Sequence, residues 1–508
     1  MIKMKYMKLN KILLGGLLLF ATSCNSGDDD YIPPAIEPDP KPNPPVEEVY
    51  NDLGFAPHED GKPFDTYRGL VMAGYQGWFG APGDGCPHAD HANTEWYHYR
   101  ENDMFKPGVL RNKIDFWPDM SEYTVQYTPG DDGTPGRSEH FFYPNGEKAT
   151  VYSAYDESSV LLHFKWMKEY GLDGVFMQRF VGEVINNHDG KTHFDKVLES
   201  AMKGSNTYQR AICVMYDLGG YEPNKNNTTA AVLADAKAIM DKYQLLNREA
   251  KQKYYLYHDG KPLITLWGVG FNDGRPYSLT DVEGLMNGLK EMGYNIMLGV
   301  PTYWRERRND ALPDAKLHDL IKAAKVIMPW FVGRYDNNNF PNFHSLIEQD
   351  VKWCKENGVD YAPLCFPGSA DRNMHPNNTV QPRLGGTFLW NQMYHGIKSG
   401  AQMLYIAMFD EIDEGTAIYK CLNQSKVPGN TADQDYYVVF QNGGYRMTST
   451  MVEGLTGNDW CKKASELNVT FTGIEDNLPT DHYLWLTAEG KKMLRGEIPL
   501  KSTWPARK

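Results

Sequence analysis

Residues 158–180 read SSVLLHFKWMKEYGLDGVFMQRF, and this stretch decides the fold. Val160, Leu161, Phe164 and Met167 fall at helical spacing behind a Ser158-Ser159 N-cap, and Gly171 sits where the helix would stop. Gly174 to Phe180 is then a short, almost continuously apolar run, the pattern of a parallel strand buried on both faces. A helix that feeds directly into such a strand is the repeating unit of a parallel α/β sheet.

The same unit recurs in both directions along the chain. Strand-like runs cover residues 69–79, 174–180, 210–216, 262–269, 295–303, 324–332, 361–366 and 402–409. Amphipathic helical patterns lie between them at 228–251, 279–292, 312–324 and 343–357, with Gly293 and Gly358 at helix ends. Eight strands with interleaved helices predict an α/β fold, a single (β/α)8 TIM-type barrel with a long insertion after strand 1. A doubly wound open sheet is the alternative, but no glycine-rich phosphate loop follows the first strand. The insertion spans roughly residues 80–150, and Gly130, Gly133, Pro135 and Gly136 within it predict an extended loop or hairpin arm. Beyond residue 430 the pattern weakens, apart from a last packing helix over 483–496.

The N-terminus reads as a targeting device. Lys3, Lys5, Lys8 and Lys11 precede the apolar run Ile12 to Phe20, which is shorter than the ~20 residues needed to span a bilayer. Ala21, Thr22 and Ser23 before Cys24 resemble a bacterial lipobox, so residues 1–23 are expected to be a lipoprotein signal peptide and Cys24 the lipidated residue. Asp28, Asp29 and Asp30 resemble the surface-export signal of Bacteroidetes lipoproteins, which implies an outer-membrane lipid anchor facing outward. Pro33, Pro34, Pro38, Pro40, Pro42, Pro44 and Pro45 make residues 24–49 a semi-rigid stalk, leaving residues 50–508 as the catalytic barrel.

Composition removes several function classes. The 508 residues carry a formal charge of −13 and no basic run, so the electrostatic footprint of a nucleic-acid binder is missing. A single short apolar stretch excludes a polytopic transporter. Cys213 and Cys365 lie in apolar runs and are expected to pack as small hydrophobes. Cys86, His88 and His91 stand close in sequence, yet no second ligand pair accompanies them, and neither metal nor cofactor is expected.

Chemistry in a barrel is built from the residues that end each strand. Those positions are Tyr75, Gln76 and Trp78; Gln178 and Arg179; Tyr216 and Asp217; Trp267; Tyr303, Trp304 and Arg305; Trp330 and Arg334; and Phe366. The eighth strand ends in Asp410, Glu411, Asp413 and Glu414. Aromatic rings, amides, guanidiniums and carboxyls on one rim suit a carbohydrate, whose C–H faces stack and whose hydroxyls pair with planar polar groups. Four acids within five residues repel one another unless they meet a cation, an arginine or a catalytic task, and calcium is the structural alternative. Glycosidic cleavage needs one carboxylic acid to protonate the leaving oxygen and one carboxylate as base or nucleophile, and Glu411 and Glu414 provide such a pair.

The stretch FDEIDEGTAIYK, residues 409–420, resembles the strand-8 signature of glycoside hydrolase family 99, the endo-α-mannosidases and endo-α-mannanases. Glu411, Glu414, Gly415 and Thr416 match its Glu-x-x-Glu-Gly-Thr pattern, and AGYQGWFGAPGDG followed by TEWYHY resembles the family's opening segment. Family 71, the α-1,3-glucanases, shares the strand-8 spacing. The resemblance implies an endo-acting α-glycosidase, with an α-mannan-like oligo- or polysaccharide as substrate and glycan-uptake proteins as further partners. It also implies a retaining mechanism in which Glu411 is base to the sugar 2-hydroxyl and Glu414 the acid/base. Asp410 and Asp413 depart from the family's usual Asn and His at these places. The rival readings are an inverting α-glucanase of the family 71 type and a surface glycan-capture lipoprotein without catalysis.

Overall fold

A computed structural model describes residues 48–86, 96–130, 139–225, 228–431, 435–467 and 469–507. The signal peptide, Cys24, all but the last two residues of the stalk, His88, His91 and the glycines and proline at 133–136 lie outside the described residues. Residues 48–508 form one compact unit.

The first barrel strand is β1 (Val71–Tyr75), followed by β2 (Gly174–Phe180) and β3 (Ala211–Asp217). A two-residue strand β4 (Tyr257–His258) turns back into β5 (Lys261–Trp267). Then come β6 (Asn295–Val300), β7 (Val326–Pro329), β8 (Asp360–Tyr361), β9 (Leu364–Cys365) and β10 (Leu404–Ile406). The parallel order is β8-β7-β6-β5-β3-β2-β1-β10-β9. Its two ends belong to one run of chain: β8 pairs with β7 while β9 pairs with β10. Pro363 between them has no N–H to donate, which splits the seventh strand. Its carbonyl still accepts from Tyr405 N at 3.1 Å, and Ala362 N donates to Ile327 O at 2.9 Å, so the sheet closes on itself.

Helices cover the outside. They are α1 (Glu157–Tyr170), α2 (Val181–Val184), α3 (His188–Tyr208), α4 (Thr228–Tyr243) and α5 (Leu279–Glu291). After them come α6 (Lys316–Ala323), α7 (His344–Glu356), α8 (Thr387–Lys398), the short α9 (Ala464–Leu467), which belongs to the C-terminal sheet described below, and α10 (His482–Leu494). Helix α1 begins one step earlier than its sequence suggests, because the Asp156 carboxylate takes the Ser158 N–H at 3.0 Å while Ser159 turns into the core. With helices outside and side chains filling the interior, β1 is buried along its whole length, which is why the runs lack alternation.

The insertion between β1 and β2 carries only one 3₁₀ turn, Met120–Glu122, and isolated bridges such as Tyr127 with Val151 among its described residues. The C-terminal region holds a sheet where the sequence pattern is weak. Strands β11 (Tyr437–Gln441), β12 (Gly444–Thr448) and β13 (Trp460–Lys463) form an antiparallel sheet in the order β12-β11-β13. Its own small core joins Tyr436, Val438, Ala464 and Val469 to Val109 and Leu110 of the insertion. Among the described residues no helix is long and apolar enough to cross a membrane.

Candidate active site

The turn after β10 is fixed from three directions. Asp410 Oδ1 accepts from Gln76 N at 2.8 Å and Oδ2 from Gly77 N at 2.9 Å, so its carboxyl ties strand eight to the end of strand one. Asp115 and Phe116 of the insertion donate their N–H groups to Ile412 O at 3.0 and 3.1 Å, and Ala370 N donates to Glu414 O at 2.8 Å. Gly415 has φ +66°, and a Cβ there would lie 2.5 Å from Ala370 N, so the motif's glycine is a requirement of the turn.

Glu411 is buried and clamped. Gln76 Nε2 donates to its Oε1 and Thr416 Oγ1 to its Oε2. Burial, with the charges of Glu414 and Asp413, nevertheless holds its pKa well above the ordinary carboxyl value. Glu414, in contrast to its buried neighbours Glu411 and Asp413, is exposed. Desolvation first, then the charges of Asp413 and Asp371, raise it to about 7, against the opposing pull of His375 and Lys113. Asp413 is buried and also raised to about 7 by desolvation, with Lys113 opposing, and its Oδ2 lies 3.7 Å from His98 Nδ1. Asp410, sealed in the interior, is raised to about 7 by desolvation, which outweighs the two backbone N–H groups it receives. Burial thus raises all four carboxyls of the turn, the combination of shifts that marks a candidate acid/base site.

Strand register decides which rim residues share a face with Gln76. Continuing the β1–β2 pairing of Tyr75 with Met177 sets Gln76 beside Gln178 and Trp78 beside Phe180, whose rings stack at 5.3 Å. Phe180 pairs with Asp217, Asp217 with Trp267, and Trp267 with Gly299. A Cβ on Gly299 would meet the Trp267 ring at 2.3 Å, so this glycine makes room for the indole. Trp330 meets Trp267 edge-on at 5.1 Å, and His98 lies flat on Trp78 at 4.1 Å. Gln76 Oε1, Gln178 Oε1, Trp78 Nε1, Trp267 Nε1 and Asp413 Oδ1 are buried without hydrogen-bond partners among the described residues. Buried polar atoms are normally satisfied, and these five are among those of the described residues that are not. Asp217, raised by burial, turns one oxygen to Gly219 N, and Tyr303 stands at the rim under Arg308 at 4.2 Å.

The opposite parity carries Tyr75, Arg179 and Tyr216 away from this face, and the loops after β6, β7 and β9 carry Trp304, Arg305, Arg334 and Phe366 into contacts of their own. Tyr75 is core: its hydroxyl meets His163 Nδ1 at 2.8 Å on α1, and Tyr123 meets the other nitrogen at 2.7 Å. Arg179 and Tyr216, paired in register, both turn out to Asp235 on α4, at 2.7–2.8 Å. Trp304 is buried against Trp353, and Arg305 holds the buried Asp350 at 2.8 Å instead of the acidic turn. Arg334 pairs with Asp310 at 3.2 Å, and Asp310 in turn accepts from Thr302 N and Tyr303 N, so the arginine braces a loop. Phe366 packs between Tyr335 and Phe388. A period-two strand sends neighbours to opposite faces, so strand-end position alone does not say which of these residues share one.

Sequence reasoning missed Lys113, Asp371 and His375, whose charges act on Glu414. They sit in the insertion and in the loop after β9, where no pattern marks them. Thr416 was legible only as part of the motif. No group of three or more His, Cys, Asp or Glu able to hold a metal ion is found among the described residues. Cys213 and Cys365 are buried as expected.

The fold is a TIM-type barrel of the kind seen in glycoside hydrolases. Two solved structures of the GH99 endo-alpha-mannosidase from Bacteroides thetaiotaomicron, one with bis-tris-propane bound, are similar at 14% identity, covering 85% of this chain and 98% of that one. Their TM-scores are 0.51 and 0.49. A glycoside hydrolase-like protein is similar at 13% identity and a TM-score of 0.42, over 73% of this chain and 91% of its own. No family model matches the sequence, and no curated protein matches it. At such identities the likeness establishes the fold and leaves the chemistry to the residues.

Proposed function

We propose that this protein is a glycoside hydrolase that cleaves an α-linked, α-mannan-like glycan within the chain, with Glu411 and Glu414 as its catalytic pair. The observation that carries the reading is Glu411 clamped between Gln76 and Thr416 on the same rigid turn that offers Glu414 to the cleft. The resemblance of the motif to family 99 adds to it, as does the barrel's likeness to the Bacteroides enzyme.

In this reading the hydrogen bonds that Gln76 and Thr416 donate to Glu411 favour its carboxylate form against burial, so the pair's one proton sits on Glu414. Glu411 accepts the proton of the sugar 2-hydroxyl, and that oxygen attacks the anomeric carbon. Glu414 gives its proton to the departing glycosidic oxygen, leaving an anhydro-sugar. Glu414 then takes a proton from water, whose oxygen opens the ring at the anomeric carbon, and Glu411 returns its proton to the 2-oxygen. The pair works when it holds one proton between its two carboxyls, and each general acid–base contribution of this kind is worth ~10²–10⁴-fold. Gln76, Trp78, Gln178, Asp217, Trp267, Tyr303, Trp330 and Asp413 would line the sugar's seat. A lipid on Cys24 would hold the barrel at the outer membrane, facing outward.

The test is a product screen on α-mannans, α-glucans and host glycans, with wild type and Glu414→Gln compared. Cleavage lost in the variant, with retained anomeric configuration by NMR, is the expected result. Inversion would move the protein to a family 71-type glucanase. Binding without any cleavage in the wild type would make it a capture protein.

A further inference from the structure

The antiparallel sheet β12-β11-β13 has no part in the chemistry above, yet it stands next to it. On one face Phe440 pairs with Tyr445 and with Trp460 across the two ladders. The three rings cluster with centroids 4.9–6.1 Å apart. The buried end of this face packs on Val109 and Leu110, while Phe440, Tyr445 and Trp460 remain half-buried at the hairpin end. Lys462 lies over the Trp460 ring at 5.1 Å.

This aromatic end forms a wall with the loop after β9. Tyr445 meets the His375 ring at 5.9 Å, and His375 donates to Asp371 Oδ2 at 3.0 Å. His375 and Asp371 are the two residues of that loop whose charges reach Glu414. The wall is braced: Asn373 donates to Ile114 O at 2.8 Å, Asn430 bridges Asn373 and Asn112 at 2.7 and 3.0 Å, and Tyr436 donates to Val109 O at 2.7 Å. The rings thus keep a set position relative to the carboxyl pair. Partly exposed aromatic rings clustered near the carboxyl turn suit the apolar face of a further sugar unit, as a flat hydrophobic contact with little entropy to lose.

We propose that Phe440, Tyr445 and Trp460 form a secondary binding platform that holds a distal segment of the same glycan whose bond is cut at Glu411 and Glu414. This deepens the glycosidase reading and rests on it for the identity of the ligand. The platform extends the bound length of chain beyond the barrel mouth and favours polymeric over short substrates.

Affinities of an α-linked disaccharide and an octasaccharide of the same linkage, from the manno- and gluco-series, are measured by calorimetry on the full folded chain. Tyr445→Ala is expected to weaken octasaccharide binding about 3- to 10-fold, the size of one aromatic contact. The disaccharide affinity stays unchanged, and Tyr445→Phe, which keeps the ring, behaves as wild type. Trp460→Ala, with the thermal midpoint recorded, separates ring loss from unfolding. Equal loss for both lengths, or no loss for the octasaccharide, overturns the platform. Loss in Tyr445→Phe as well would assign Tyr445 to loop bracing and overturn it too. Binding by a wild type that cleaves nothing would remove the hydrolase reading and leave the platform standing. A wild type that binds neither length overturns both.

Discussion

Asp410 offers the sharpest test of how the site is held. It is fully buried, its two oxygens receive Gln76 N and Gly77 N, and its pKa stands at about 7 against an ordinary 3.8. A carboxyl whose pKa is raised on folding binds its proton more tightly in the native state. Its contribution is therefore most favourable below the unfolded value and is lost as pH rises toward the folded one. A rise of this size corresponds to about 4 kcal/mol, of which about 2–3 kcal/mol falls between roughly pH 5 and pH 8. Asp410→Asn removes this titration but turns an amide N–H toward one of the two backbone donors, stranding it at a cost of about 1–3 kcal/mol. Denaturant unfolding of both proteins at the two pH values reads the difference. The variant should be clearly less stable at the lower pH, and the gap should close or reverse by about 2–3 kcal/mol at the higher. A destabilisation that stays constant across this range would refute the assignment of a protonated, interior carboxyl at this position.

Three further outcomes follow from the same geometry. Thr416→Val removes one of the two donors to Glu411 with little change of shape, and a charge-assisted buried hydrogen bond of about 1.5–3 kcal/mol translates to a fall in kcat of about 10- to 100-fold; steady-state kinetics with unchanged circular dichroism would show it. Asp413→Asn deletes a negative charge beside Glu414, so the alkaline limb of the pH–rate profile should move to lower pH; a limb that stays or moves up contradicts the electrostatics. Arg179→Met leaves buried Asp235 with only Lys191 and Tyr216 as partners, and should cost about 3 kcal/mol in unfolding while kcat/KM of the folded protein is unchanged. A specific loss of substrate binding in that variant would return Arg179 to the cleft.

The strand runs, the carboxyl turn and the glycine within it were legible in the chain because each is local. Continuous apolar runs follow from burial on both faces, and Gly415 follows from a left-handed turn against Ala370. The hairpin of β11 and β12 also has a local signal, Asn442-Gly443 between apolar runs, whose meaning becomes plain once the two strands are seen to pair. What the sequence could not order was the rim. Gln76 and Tyr75 are neighbours in the chain, yet one meets Glu411 and the other His163, because pleat parity within a closed barrel decides it. Arg305, one of the strand-end positions, is held by Asp350, a partner 45 residues away along the chain. Lys113, Asp371 and His375 reach Glu414 only because the insertion and the loop after β9 fold over the same turn. Sequence by itself set the barrel and the pair of acids, since periodicity and motif spacing are properties of contiguous residues. The charge environment of that pair, and which aromatic rings stand beside it, arise from contacts between segments far apart in the chain, and these only the closed tertiary structure decides.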